Sequence, residues 1–133
     1  MEHQGSARIV VILLGCAVAG CNPRYDVVPV KGRLTYDGQG VSDMIVRFEP
    51  SVGRPSDSFT AADGSFDMCY TLDRMGVEVD THRVTVIWAP PDERPGLKPS
   101  ELQQKVLADF KNKGPLEVKV ERPLRDFEIK LPR

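Results

Sequence analysis

Two histidines and three cysteines limit the chemistry available to this chain. The histidines are His3 and His82, and the thiols are Cys16, Cys21 and Cys69. His3 lies in a leader argued below to be removed, so a Ser-His-Asp or Cys-His arrangement would have to use His82, and a multi-histidine zinc site cannot be assembled. His82 shares its alternation face with Val84 and Val86, which predicts a hydrogen-bonded residue at a sheet end. Cys69 is in phase with polar Asp67 and Thr71 and is expected on an outer sheet face. No neighbouring base is evident to convert it to a thiolate. Asp37, Asp43, Asp63, Asp67, Asp73 and Asp80 lie near turns, where carboxylates could serve calcium, but no EF-hand or similar spacing occurs. Turn formation accounts for the Asp-Gly pairs without a metal. Tyr70 and Trp88 fall on predicted core faces, which argues against an exposed aromatic platform for sugars. No glycine-rich phosphate loop is present. The expectation is a protein with no catalytic residue, no metal and no cofactor.

The N-terminal residues point to an address instead. A polar stretch containing Arg8 is followed by apolar Ile9 to Val18 and then Ala19-Gly20-Cys21, the layout of a secretory signal. Such a run, as a helix, falls short of the ~20 residues that a bilayer core requires, so cleavage is expected rather than a permanent span. Val18-Ala19-Gly20-Cys21 resembles the bacterial lipobox, in which an aliphatic residue, a small residue and Gly or Ala precede a Cys. That resemblance implies cleavage after Gly20 and lipidation of Cys21, with acyl chains on its thiol and freed amine. Two or more chains anchor a protein stably where one does not. Leu13-Leu14-Gly15-Cys16 also matches, but it leaves only Ile9 to Leu14 as the apolar core of the signal. An ordinary secretory signal near Cys21 is the other alternative. The Gly-Cys junction followed at once by Asn22-Pro23, a helix stop, favours the lipobox. Asn22 is not the Asp that resembles an inner-membrane retention signal, so an outer-membrane destination is slightly favoured.

The organisation expected is therefore a signal peptide at 1–20, an anchor linker at 21–26 and one domain at 27–133. The whole chain has 133 residues, 18 Lys plus Arg against 19 Asp plus Glu and a net charge of -1. That balance supplies no global attraction for nucleic acid, and none is expected as a partner. With Cys16 removed and Cys21 acylated, Cys69 has no partner, so stability must come from packing rather than a disulfide.

The strict period of two through the remainder predicts strands. Val28, Val30, Leu34 and Tyr36 alternate with Lys31, Arg33 and Thr35. Asp37-Gly38 breaks the run, and Met44, Val46 and Phe48 form a second before Pro50. A short strand is expected at 58–62, turned by Asp63-Gly64 into one carrying Phe66, Met68, Tyr70 and Leu72 on a single face. His82, Val84, Val86 and Trp88 form the next. Leu116, Val118 and Val120, then Phe127, Ile129 and Leu131, make the last two, joined tightly through Arg122-Pro123-Leu124-Arg125. Between Trp88 and Leu116, Ser100 and Gln103 have capping-box spacing, and Leu102, Val106 and Phe110 recur at helical intervals, so one short helix is expected. Seven strands, each with one apolar face, predict an all-β fold of two packed antiparallel sheets.

Gly32-Arg33-Leu34-Thr35-Tyr36-Asp37-Gly38, followed by Val41, Val46 and Phe48-Glu49-Pro50, resembles the opening of the carboxypeptidase regulatory-like domain, a transthyretin (prealbumin)-like β-sandwich found in many small bacterial lipoproteins. Thr60 to Phe66 is similar to that family's Thr-Asp-x-x-Gly-x-Phe hairpin. Gly76 with His82-Arg83-Val84-Thr85-Val86 resembles its Gly-x-x-x-Val-x-Val strand, and Leu116, Val118, Phe127 and Leu131 its final hairpin. The likeness runs over about residues 27 to 131, with departures at Ala62, at Met75-Gly76 and in the longer stretch around 90–104. It implies a seven-stranded Greek-key sandwich with one short helix in a late loop. In carboxypeptidases such a domain accompanies a catalytic one, and fold alone confers no activity.

The expected role is a non-catalytic, lipid-anchored cell-envelope protein acting as an interaction or structural module. Its partners would be the membrane, through the lipid, and an envelope protein or glycan not identified by these residues. The alternative is binding of a carbohydrate or small ligand through loops 51–57, 73–80 and 90–99.

Overall fold

The computed structural model describes residues 26–133. The expected signal helix, and with it Gly20 and Cys21, lies outside the described residues. In chain order the elements are β1 (Val27–Val28), β2 (Val30–Tyr36), β3 (Gln39–Gly40), β4 (Met44–Pro50), β5 (Ser56–Phe59) and β6 (Ser65–Asp67). There follow β7 (Cys69–Thr71), β8 (Arg74–Met75), β9 (Val77–Glu78), β10 (Asp80–Trp88), α1 (Glu101–Lys113), β11 (Leu116–Val120) and β12 (Leu124–Leu131). The described residues are thus mostly β, with one helix.

One sheet has the order β11-β10-β4-β5-β7-β8 and is antiparallel throughout. The other has the order β12-β2-β3, with β6 beside the start of β2, and β1 and β9 form a short separate ladder. Alternation sets which side chains face inward. Val30 and Leu34 of β2, Met44, Val46 and Phe48 of β4, Val84 and Val86 of β10, and Ile129 and Leu131 of β12 form one core. Phe48 and Phe127 meet across it edge to face, with ring centroids 5.9 Å apart. Edge-to-face aromatic pairs add to the burial of their area.

Three expectations of sequence are corrected. First, β12 does not fold back on β11: β11 pairs with β10, while β12 crosses to the other sheet and runs parallel to β2. The expected final hairpin and the wholly antiparallel arrangement are therefore wrong, because alternation specifies the face of a residue and not its strand partner. Second, the expected continuous strand from Phe66 to Leu72 is broken at Met68. β6 pairs with β2 in one sheet and β7 with β5 in the other, so the chain changes sheets there. Buried Met68 anchors the crossing, its N–H donating to Val30 O at 2.9 Å. β7 ends at Thr71, so Leu72 falls in the turn to β8 instead of on the core face and is fully exposed at 102%. Third, the short strand expected at 58–62 is Ser56–Phe59, with Thr60 buried just beyond it.

The Asp63-Gly64 turn forms as expected. Asp63 Oδ1 accepts from the N–H and hydroxyl of Ser65 at 2.9 and 2.6 Å, and Gly64 adopts φ +83°. A Cβ on Gly64 would stand 2.3 Å from Leu34 O, so the position requires glycine on two counts. The helix also forms as expected. Ser100 Oγ accepts from Gln103 N–H while Gln103 Oε1 accepts from Ser100 N–H, a complete capping box. Val106 is buried in the core, with Leu102 and Phe110 packed against it. Arg133 ties the helix down, donating from Nε and from its backbone N–H to the buried Asp109 carboxylate at 2.7 and 3.0 Å.

Candidate functional site

The solvent-facing side of the six-stranded sheet is where chemistry and exposure coincide. Ladder register puts Ile87, Ile45 and Phe59 in one row across β10, β4 and β5. Ile87 is 52% and Phe59 70% exposed. In the adjoining row stand Thr85, Arg47, Asp57, Cys69 and Met75. Arg47 and Asp57 form a two-pronged pair, with Nε and Nη2 donating to the two carboxylate oxygens at 2.7 and 2.9 Å. Asp57 holds the Arg47 guanidinium above its ordinary value, first through these bonds and then through its charge.

Beside these rows a groove of about 430 Å³ runs between β5 and the β7–β8 turn. Phe59 and Leu72 stand at its apolar edges, with Arg54, Asp57 and Asp67 supplying charge. Of the three loops expected to bind a ligand, 51–57 contributes Arg54, Pro55 and Asp57, whereas the groove takes no residue from 73–80 or 90–99. The stretch 73–80 is not a bare loop, since it holds β8 and β9.

A buried carboxyl supports the groove from behind. Glu78 is 1% exposed, and its Oε1 accepts from Tyr70 OH at 2.7 Å and from Arg54 N–H at 3.2 Å. The bond to Glu78 is the main reason that the Tyr70 phenol is held above its ordinary value near 10, with burial and the carboxyl's charge adding to it. Arg54 Nε in turn donates to Tyr70 O at 3.0 Å, so loop 51–55 is pinned against β7. Glu78 Oε2 has no hydrogen-bond partner and packs under Gly53, where a Cβ would come within 2.1 Å of it. Tyr70 is thus half-buried, but in this polar support rather than among the apolar core residues.

His82 is fully buried, its ring tilted 58° to that of Phe48 with centroids 5.6 Å apart, and with Nε2 2.6 Å from Glu78 O. This agrees with the hydrogen-bonded sheet residue expected. Cys69 is half-buried on the opposite side of the sheet, its thiol donating to Thr71 O at 3.0 Å. The imidazole and the thiol therefore face opposite ways. Among the described residues, no group of three or more His, Cys, Asp or Glu side chains is positioned to hold a metal ion. No described helix is long and apolar enough to cross a membrane. Trp88 is half-buried against the core.

Sequence reasoning missed Phe59, Leu72 and Glu78. Extending the parity of His82 backwards would have placed Glu78 on the inward face, because the positions differ by an even number. For Leu72 no such signal was read, since its exposure follows from its place in the turn between β7 and β8. Compared with family models, with curated proteins and with solved structures, the chain matches none.

Proposed function

We propose that this chain is a non-catalytic, lipid-anchored cell-envelope protein whose β-sandwich is an interaction module. In this reading the leader is cleaved after Gly20, Cys21 carries the acyl chains, and the destination is the outer membrane. The domain is of the carboxypeptidase regulatory-like, transthyretin-like Greek-key type. What supports the interaction role is the solvent-facing row Ile87, Ile45 and Phe59, large apolar side chains in register on a surface with no covering element among the described residues. Exposed apolar patches rimmed by polar residues mark interaction sites more often than neutral surface. The test is crosslinked affinity capture of the acylated protein from native envelopes, beside the double variant Ile87→Glu, Phe59→Glu. A protein partner captured by the wild type and lost with the variant is the expected result. Capture unaffected by the variant, or none, overturns the role of this face.

A second reading, binding of a carbohydrate or other small ligand, is favoured by the groove. An exposed aromatic ring beside two carboxylates and a guanidinium can stack on a sugar and bond its hydroxyls. Envelope polysaccharide bound by the wild type and lost on Phe59→Ala would support it over the protein partner.

A further inference from the structure

The topology gathers one set of connections at a single end of the fold. β4 ends and β10 begins there, since His82 pairs with Pro50, and β11 ends opposite Asp80. The connection 51–55, the β7–β8 turn at 72–73 and the junction at Val79 all fall at this end. The chain also comes in there, for Asp26 O accepts from Val79 N–H at 2.8 Å. Helix α1 holds to the opposite end, where Gln103 Nε2 donates to Ser42 O. Three apolar side chains project from the first end: Leu72 at 102%, Val52 at 70% and Val79 at 41% exposure. Ser51 Oγ donates to Asp80 at 2.8 Å and Arg54 to Tyr70 O, so the loop that carries Val52 is braced rather than free to fold its valine inward.

We propose that this end rests on the bilayer, with Val52, Leu72 and Val79 seated in the headgroup region. The inference rests on the anchoring reading above. Cys21 precedes Asp26 by five residues, which span at most about 18 Å even fully extended. An acylated Cys21 therefore keeps Asp26, and Val79 bonded to it, within that distance of the lipid surface. The partner is lipid of any headgroup charge. Arg54, Arg74, Arg122 and Arg125 are balanced at this end by Asp26, Asp73, Asp80 and Glu121, so attraction to anionic lipid contributes little. The contact is apolar, and its occupancy is insensitive to salt.

The full-length chain is expressed in a lipoprotein-processing bacterium, and the mature product is reconstituted in phosphatidylcholine vesicles with or without brominated acyl chains. The wild type supplies the Trp88 background for Leu72→Trp, Val52→Trp and, as a control on the sheet face, Ile87→Trp. The added fluorescence of Leu72→Trp is expected to fall about twofold with brominated lipid, and that of Ile87→Trp to hold. Val52→Trp decides in the same way if Leu72→Trp does not fold. Absence of quenching in protein whose N-terminal mass shows an acylated Cys21 overturns the seating and leaves the anchor standing. Equal quenching at Ile87 overturns it in favour of a protein lying on its sheet face. A mature protein without acyl groups on Cys21 overturns anchor and seating together.

Discussion

Asp109 shows how a single carboxyl couples this fold to pH. Its burial raises the cost of ionisation, but the Arg133 backbone N–H and guanidinium, with the Lys113 charge, outweigh that and hold it below the usual carboxylate range. A depressed folded pKa contributes stability that is present above the unfolded value, about 3.9, and is lost as pH falls through the folded one. Asp109→Asn is therefore expected to cost about 2 kcal/mol at pH 7, and the gap to wild type is expected to narrow below about pH 4. Urea midpoints at the two pH values check this, and a gap that persists in acid would refute it. Glu78 poses a related problem, with Tyr70 and Arg54 on one oxygen and nothing on the other. Tyr70→Phe removes a half-buried bond and is expected to destabilise by about 1 kcal/mol. In the wild type the absorbance of one tyrosinate should develop later in an alkaline titration than that of an exposed tyrosine, and Glu78→Gln, which removes the carboxyl's charge but not the burial, should shorten the delay.

At the scale of elements, local signals and long-range ones part company. The helix is specified by residues adjacent in sequence, and its start can be tested directly. Ser100→Ala should cost about 1 kcal/mol by thermal unfolding, and no change would mean that Gln103, through Ser42 O, and the packing of Val106 hold the helix start without the hydroxyl. The Asp63-Gly64 turn is local in the same sense, and both were legible in the sequence. So were the buried faces of β2, β4 and β10, because a period of two reports directly on which side of a sheet a residue lies. What could not be read was partnership. The crossing at Met68 and the passage of β12 to β2 are decided by contacts between distant residues, and the same alternating pattern fits a hairpin and a sheet change equally. That gap also hid the candidate groove. Phe59 and Leu72 flank it only because β7 lies against β5, so Phe66, read together with Tyr70 and Leu72 as core, is parted from them at a break that no local residue type announces.

Among the described residues, the buried apolar side chains of both sheets gather in one core. Phe48 has no exposed surface and touches both His82 and Phe127, so Phe48→Ala should cost about 3 to 5 kcal/mol in equilibrium unfolding. A loss under about 1 kcal/mol would mean that the two sheets do not share a core. Cys69 is the free thiol of the described residues, and unfolding of residues 26–133 should be unaffected by reductant.

The parallel pairing of β12 with β2 bears on what happens when the chain is pulled. Tension applied at Asp26 and at Arg133 draws β2 and β12 past each other lengthwise, so their hydrogen bonds are loaded all at once instead of parting one by one. The two-residue ladder of β1 on β9 lies ahead of them on the same line and gives way first. A tether attached at the start of this chain would thus pay out a short length at low force before meeting its mechanical stop.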